Sequence, residues 1–395
     1  MQKIKTQVGI IGAGPAGLLL GQMLYNRGIE SVILESRDRD YVRARLRAGV
    51  QEQNTVNTFI AEGVGKNLQE NSMVHKGIYL HFNNEKHYLN VEELTGGQVV
   101  IVYGQRNITC DMIDIREAND LPLHFGAKAD KITGIEDQQS QIYFTHEGEQ
   151  KILECDFVAG CDGFHGISRQ HIPKKIQQTF QRTFPYAWFG ILAEAPPACH
   201  EVIYAHSENG FALQSMRGPN LSRLYLQVPN NEDIQKWTAD AFFDEFDHRI
   251  GAGYKVNRGP LVNRGLAPMK SFVSEPLRHG NLFLAGDAAH IVPPTGAKGM
   301  NLAVADVKIL GEALNRYYKH QDEDLINRYS EVCLRRIWKV ERFSWWCTTT
   351  THVAPKQTKF DTKMQLATLS YLVDSKVGGH SFAENYVGLP YPNLV

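Results

Sequence analysis

The run Gln7-Val8-Gly9-Ile10-Ile11 followed by Gly12-Ala13-Gly14-Pro15-Ala16-Gly17 constrains this chain more than any other feature. An apolar stretch that stops at glycine reads as a buried strand, and a proline three residues later suits the first turn of a helix. The helix is expected over Pro15 to Arg27, with Leu18, Leu19, Met23 and Leu24 on its apolar side, and a second strand over Ser31 to Leu34 ends at Glu35. In such a βαβ opening Gly12 makes the turn, Gly14 lets the backbone approach a pyrophosphate, and Gly17 permits close helix–strand packing. Glu35 stands where a carboxylate can accept both hydroxyls of an adenosine ribose. A bare glycine turn is the bland alternative, but the order strand, turn, helix, strand, acid favours a bound dinucleotide.

Three hundred and ninety-five residues suggest two or three domains, and 43% hydrophobic residues give ample material for a core without disulfides. The six cysteines are scattered with no CxxC pair, so neither a zinc site nor a disulfide framework is expected and a reducing, cytoplasmic setting fits. A formal charge of −1 gives no electrostatic case for nucleic acid or an anionic membrane. Lys3 and Lys5 before an apolar run resemble a signal peptide, but the glycine-rich turn suits a strand and helix better. No transmembrane segment is expected.

Farther along, Gln51 to Ala61 reads as a helix, Gly77 to Phe82 and Val99 to Tyr103 as strands, and 141 to 157 as a hairpin. Residues 180 to 230, rich in strand formers and aromatic side chains, read as an antiparallel sheet, whereas Asp322 to Thr348 is strongly helical. The expected fold is α/β: a Rossmann-like dinucleotide-binding domain (1–178), an inserted antiparallel-sheet domain (179–271), a return to the first domain (272–311) and a helical C-terminal region (312–395).

Two further glycine-bearing segments sharpen the ligand. Leu282-Phe283-Leu284-Ala285-Gly286-Asp287 ends a short strand with an acid, and Pro293 to Asn301 supplies a Gly/Pro-rich turn into a helix. Asp287 can hold a ribityl polyol while amides of that turn face a flavin pyrimidine edge, which favours FAD over a nicotinamide as the resident dinucleotide; a plain helix cap is the bland alternative. Gly160-Cys161-Asp162-Gly163-Phe164-His165-Gly166-Ile167-Ser168-Arg169 combines a similar turn with His165 and Arg169. In the middle region a period of two puts Ser215 with Arg217 and Arg223 with Tyr225 on one face if Gly218 to Leu221 is a hairpin turn. That patch is a plausible carboxylate receptor or, more blandly, a solvated sheet face.

Together these segments resemble the single-component flavoprotein aromatic hydroxylases. Arg45-Leu46-Arg47-Ala48-Gly49, Tyr103-Gly104-Gln105, the 160–169 segment and Glu384-Asn385-Tyr386-Val387-Gly388-Leu389-Pro390-Tyr391 extend the resemblance to the 4-hydroxybenzoate 3-monooxygenase branch over nearly the whole length. The resemblance implies an FAD enzyme that hydroxylates 4-hydroxybenzoate to 3,4-dihydroxybenzoate with O2 and NAD(P)H through a C4a-hydroperoxyflavin. It implies a phenol relay through Tyr204, Tyr386 and His75, with the Pro294 carbonyl at the reacting edge and Ser215, Arg217 and Tyr225 around the substrate. FAD contacts are implied for Arg47, Gln105, Asp162, Arg223, Asp287, Lys298 and Asn301, beside Gly12, Gly14, Gly17 and Glu35. Coenzyme contacts are implied for Ser36, Arg37, Tyr41, Arg45, His165, Arg169 and Lys270. Ser36 stands where familiar members carry an arginine for the NADPH 2′-phosphate, and Lys270 where an arginine is common. Arg37 and Arg39 compensate, so NADPH is favoured and NADH is an alternative. The 322–348 helix, with Leu325, Tyr329, Val332, Ile337 and Trp346 on one side and Arg335, Arg336 and Lys339 on another, reads as a packing helix that by resemblance serves a homodimer. Alternatives are another hydroxybenzoate as substrate, or a flavin-binding redox sensor without turnover.

Overall fold

Strand ends brought into register define the architecture. The computed structural model describes residues 2–45 and 49–391. In its first sheet β1 (Gln2–Ile11) lies between β2 (Ser31–Leu34) and β3 (Glu149–Gly160), all parallel, and β4 (Leu282–Leu284) continues the sheet beside β3. Ile11 is opposite both Leu34 and Gly160, and Gly160 is opposite Leu284. The three glycine segments and Glu35 therefore leave the sheet at one edge, the carboxyl edge at which doubly wound folds bind nucleotides. The helix α1 (Pro15–Asn26) buries Leu18, Leu19, Met23 and Leu24 against the long helix α2 (Gly299–His320). Two glycines make this packing possible. A Cβ on Gly12, whose φ is +106°, would lie 2.4 Å from the Cys161 carbonyl oxygen, and one on Gly17 would lie 2.0 Å from the Gly12 oxygen.

The second sheet has eight strands, mostly antiparallel, centred on Gln178–Ala193, Leu221–Pro229, Ala212–Gly218 and Val202–Ala205. Gly218 pairs with Leu221, so the hairpin turn falls where the sequence placed it. One face buries Phe189, Leu224, Leu226 and Val228 under Phe242, Phe243 and Phe246 of the helix Ala239–Ile250, an element not foreseen from the sequence. The other face carries Tyr204, Leu213 and Tyr225 as one cross-strand row, with Ser215 opposite Arg223 beside it. Gly190 makes room for that row, since a Cβ there would come within 2.5 Å of the Tyr225 ring. The strands Ile78–Phe82 and Glu85–Leu89 join this sheet although they precede the expected insertion, and Leu261–Glu275 runs through its expected end at 271.

A small sheet of Val50–Glu52, Val100–Val102 and Met73–His75 bridges the two bodies; Glu52 and His75 both pair with Val100 and so share a face. The C-terminal helices Tyr329–Thr351, Lys359–Asp374 and Lys376–Val387 close the molecule, with Leu369, Leu372, Phe382 and Tyr386 packed among Leu80, Tyr204 and Phe211. Arg336 departs from the amphipathic reading. It is 5% exposed and points inward, where Nη2 lies 3.1 Å from Glu52 Oε2 and Nη1 donates to the Leu389 carbonyl at 2.6 Å. A buried carboxylate attracts it more strongly than helical periodicity predicts.

Candidate functional site

The dinucleotide edge comes first. Glu35 Oε2 accepts the Ala13 amide at 2.8 Å and Oε1 accepts the Arg37 amide at 2.8 Å, which fixes the carboxylate over the glycine turn. Gly14 caps α1 with no side-chain bond, and a Cβ on it would meet nothing within 4 Å. The first amides of α1 thus face open space, a cradle suited to a pyrophosphate. Asp287 is exposed at the same edge, and Gln105 opens the helix Gln105–Ala118 behind an uncapped Gly104. Asp162 is held by the Ser168 amide and hydroxyl at 2.9 and 2.8 Å, leaves Oδ1 unpartnered, and has its carboxyl raised above the usual range by burial. These residues fit an FAD whose adenosine end meets Glu35 and whose ribityl chain meets Asp287. Arg47 lies outside the described residues.

Two expected FAD contacts, Lys298 and Asn301, have their side chains hydrogen-bonded within the protein. Lys298 is buried, with Nζ 2.7 Å from Glu52 Oε1 and 2.8 Å from the Tyr386 carbonyl, so its ammonium clamps the C-terminal segment rather than pointing outward. Asn301 accepts the Glu52 amide at 2.9 Å and donates to the Ala297 and Val50 carbonyls, which leaves its backbone as the part able to meet a ring. Arg223 stacks on Tyr225, with its guanidinium carbon 4.9 Å from the ring centre, and borders the substrate face.

The coenzyme candidates split into two groups. Ser36, Arg37, Tyr41 and Arg45 lie on an exposed surface; Ser36 Oγ donates to Glu35 at 3.2 Å, and Arg37 rests 5.1 Å over the Tyr41 ring. Across the edge, His165 is exposed, while Lys270 Nζ sits 3.1 Å from the centre of the Phe164 ring. Arg169 is hydrogen-bonded within the protein. It donates to the Ala288 and Phe164 carbonyls at 2.7 and 2.6 Å between the Phe164 and Phe272 rings, and so ties two of the glycine turns together.

The substrate face gathers the remaining candidates. Arg217 has Nη1 buried with no protein partner, and burial pushes its guanidinium below the usual range while Tyr225 opposes that. A buried N–H lacking an acceptor is costly, so this edge of the guanidinium suits an anion supplied from outside. Ser215 is buried one strand position pair away, with its hydroxyl on the Met216 carbonyl at 3.3 Å. Tyr204 donates to the Thr295 carbonyl at 2.7 Å, and its ring packs edge-on to Tyr386 with centres 6.4 Å apart. Both phenols are buried, and burial raises both, Tyr204 well above the ordinary range. Pro294 is exposed toward this region, and its carbonyl accepts the Ala297 amide at 2.9 Å. His75 is 1% exposed with neither ring nitrogen hydrogen-bonded, and burial, with lesser contributions from His200 and Arg217, lowers it to about 3.

The sequence reading missed Glu52, Asp306 and Thr295. Asp306 accepts the Gly286 amide at 2.9 Å and meets His290 Nε2 at 2.6 Å, which fixes the third glycine turn from behind. Its signal was legible: an acid amid Val304, Ala305, Val307 and Leu310 on the apolar side of a helix must be paired. Glu52 and Thr295 act through partners far away in sequence and left no local mark.

A model described as an FAD binding domain matches residues 5–344 of the chain. The p-hydroxybenzoate hydroxylase of Acinetobacter baylyi is 46% identical over 99% of this chain and 97% of its own. The chain belongs to the p-hydroxybenzoate hydroxylase family. More distant flavoprotein hydroxylases share the architecture: a kynurenine 3-monooxygenase of Yarrowia lipolytica is 23% identical over 82% of this chain and 76% of its own. Among solved structures, p-nitrophenol 4-monooxygenase from Pseudomonas putida superposes with a TM-score of 0.82 at 17% identity, covering 99% of this chain and all of that one. A Diels-Alderase of pyrroindomycin biosynthesis reaches 0.78 at 18% identity over 98% of this chain and 81% of its own, so the fold alone does not specify hydroxylation. Among the described residues no cluster of candidate metal ligands occurs and no helix is long and apolar enough to cross a membrane.

Proposed function

We infer that this family member is an FAD-dependent monooxygenase that hydroxylates 4-hydroxybenzoate to 3,4-dihydroxybenzoate with O2 and a nicotinamide coenzyme. The observation that carries the substrate assignment is the buried Arg217 Nη1, which has no hydrogen-bond partner, beside Tyr225 in the cross-strand row that includes Tyr204. A benzoate carboxylate completes the Arg217 fork, with Ser215 and Tyr225 beside it, and a para hydroxyl then points toward the Tyr204–Tyr386 pair. Bound FAD, once reduced by the coenzyme, supplies activated oxygen in an apolar site.

The chain's own residues prepare the ring for that oxygen. Tyr204 keeps its O–H on the Thr295 carbonyl, so its oxygen is free to accept the substrate hydroxyl. With that O–H turned toward Tyr386, the Tyr204 oxygen takes the substrate's proton as its own passes to the Tyr386 oxygen, and Tyr386 gives up its proton to His75, the next base in line. A phenolate activates the carbon ortho to it far better than a phenol does. Leu213, Phe211 and the C-terminal helices keep water from the reacting centre. Ser36, Arg37, Tyr41, His165 and Lys270 form the docking surface for the coenzyme; the cations favour NADPH, with NADH accepted where Ser36 replaces a phosphate-binding arginine. A homodimer held through the C-terminal helices and a cytoplasmic location complete the reading.

The test is anaerobic reduction of the yellow holoenzyme by NADPH and by NADH, with and without 4-hydroxybenzoate, followed by product analysis in air. Substrate-stimulated reduction and 3,4-dihydroxybenzoate are expected. Stimulated reduction with hydrogen peroxide as the sole product would make 4-hydroxybenzoate an effector only, and no stimulation would overturn the assignment.

A further inference from the structure

The proton that leaves the substrate phenol needs a route beyond His75, and His75 itself is sealed: it is 1% exposed and neither nitrogen has a hydrogen-bond partner. Glu201 brings a carboxylate close to the ring. Glu201 Oε2 lies 3.7 Å from His75 Nδ1, and that oxygen, like the nitrogen, is buried without a partner. The other oxygen, Oε1, accepts the Lys76 amide at 3.1 Å, which anchors the carboxylate on the backbone that carries His75. The Glu201 side chain is 12% exposed, whereas that of His75 is 1% exposed, so Glu201 reaches water although its Oε2 is covered. Glu201 also precedes the strand Val202–Ala205, three residues before Tyr204, and its charge is felt at Tyr386. The competing neighbour, His200, has its ring centre 5.4 Å from that of His75 but spends Nε2 on the Val74 carbonyl at 2.9 Å and is exposed.

We propose that Glu201 receives the substrate-derived proton from His75 and delivers it to solvent. A shift of well under 1 Å closes the Nδ1–Oε2 gap to hydrogen-bond distance. The neutral imidazole then takes a proton at Nε2 while releasing the one on Nδ1 to Glu201 Oε2. The ring is neutral before and after, and the carboxylic acid formed gives its proton to water. Burial disfavours both a charged imidazole and a charged carboxylate here, which suits a concerted hand-over rather than storage of charge. The proposal rests on the hydroxylase reading above.

The experiment mixes FAD-loaded enzyme with 4-hydroxybenzoate, without coenzyme, in weak buffer containing a pH-indicator dye, and follows proton release by stopped flow. Glu201→Gln keeps an oxygen for the Lys76 amide but cannot take up a proton; release is expected to slow at least tenfold while the dissociation constant for 4-hydroxybenzoate changes less than about twofold. Added formate should restore the rate, and Glu201→Asp should be intermediate. Glu201→Asp with formate carries the test alone if the glutamine variant does not retain FAD. Unchanged release in Glu201→Gln, or slowed release that formate does not restore, overturns the proposal. His200→Gln is expected to release at the wild-type rate, and a tenfold loss there would transfer the role to His200. Wild-type enzyme that forms no 3,4-dihydroxybenzoate refutes the hydroxylase reading; wild-type enzyme that forms product yet releases no proton on binding refutes the relay alone.

Discussion

Replacing Arg217 by methionine should move stability and affinity in opposite directions. In the ligand-free protein Nη1 is buried without an acceptor, and burial already pushes the guanidinium below its ordinary range. Methionine has similar length and no charge, so the ligand-free enzyme loses a desolvation penalty and keeps its packing. Its melting temperature should equal or exceed that of wild type, at about 2 °C per kcal/mol gained. Binding reverses the sign. Deleting one member of a buried, hydrogen-bonded charge pair costs about 2–5 kcal/mol, which is roughly a 30- to 4000-fold weaker complex with 4-hydroxybenzoate. Arg217→Lys keeps the charge and loses the fork, for about 1.5–3 kcal/mol. Titration by flavin fluorescence gives the dissociation constants, and thermal scans with and without ligand give the stabilities. A methionine variant that melts lower and still binds within threefold of wild type would refute the carboxylate-receptor reasoning.

Other perturbations probe separate parts of the site. Tyr386→Phe should lower the ratio of hydroxylated product to hydrogen peroxide about tenfold or more while leaving flavin reduction intact; unchanged coupling would remove Tyr386 from the relay. Gly14→Ala should fold normally but retain FAD poorly, because its Cβ enters the open cradle, whereas Gly12→Ala should lose fold and FAD together against the Cys161 carbonyl. Apoprotein melting and FAD titration separate these outcomes. Ser36→Arg should raise the NADPH-to-NADH ratio of kcat/KM about tenfold, the worth of one charge-assisted hydrogen bond, and an unchanged ratio would argue against that coenzyme surface. Glu341 is buried, and the loss of hydration pushes its carboxyl up from 4.5 to about 7. Between those values the folded state holds a proton the unfolded state has released, so stability falls as pH rises through the window. Glu341→Gln should therefore gain melting temperature relative to wild type as pH rises from about 4.5 to about 7, and a constant difference across that window would refute this.

Local pattern carried the parts of the molecule whose partners lie within a turn or a hairpin. Ile11 to Gly17, Glu35 and the 215–225 face were readable because strand and helix periods fix which side chains share a side. Arg336 was not, because its partner Glu52 lies 284 residues away and no period reports a buried carboxylate at that separation. Arg169 and Lys298 were recognised as chemically notable, but two carbonyls took the first and Glu52 the second. The strand Ile78–Phe82 was recognised as a strand and joins Val202–Ala205 across the expected domain boundary, a choice made by tertiary pairing alone.

The clamp from Lys298 to the Tyr386 carbonyl and from Arg336 to the Leu389 carbonyl joins the flavin cradle to residues near the end of the described chain, which are translated late. Every parallel strand of the nucleotide sheet has been made by Leu284, roughly a hundred residues before Tyr386 emerges. A nascent chain can thus assemble a cradle able to capture flavin while its proton relay is still being translated. Such an intermediate would expose reduced flavin to oxygen with no substrate hydroxyl held in place. Late arrival of the segment that seals the site makes its docking a checkpoint: the finished enzyme is distinguished from its precursor by a few charged contacts to backbone carbonyls.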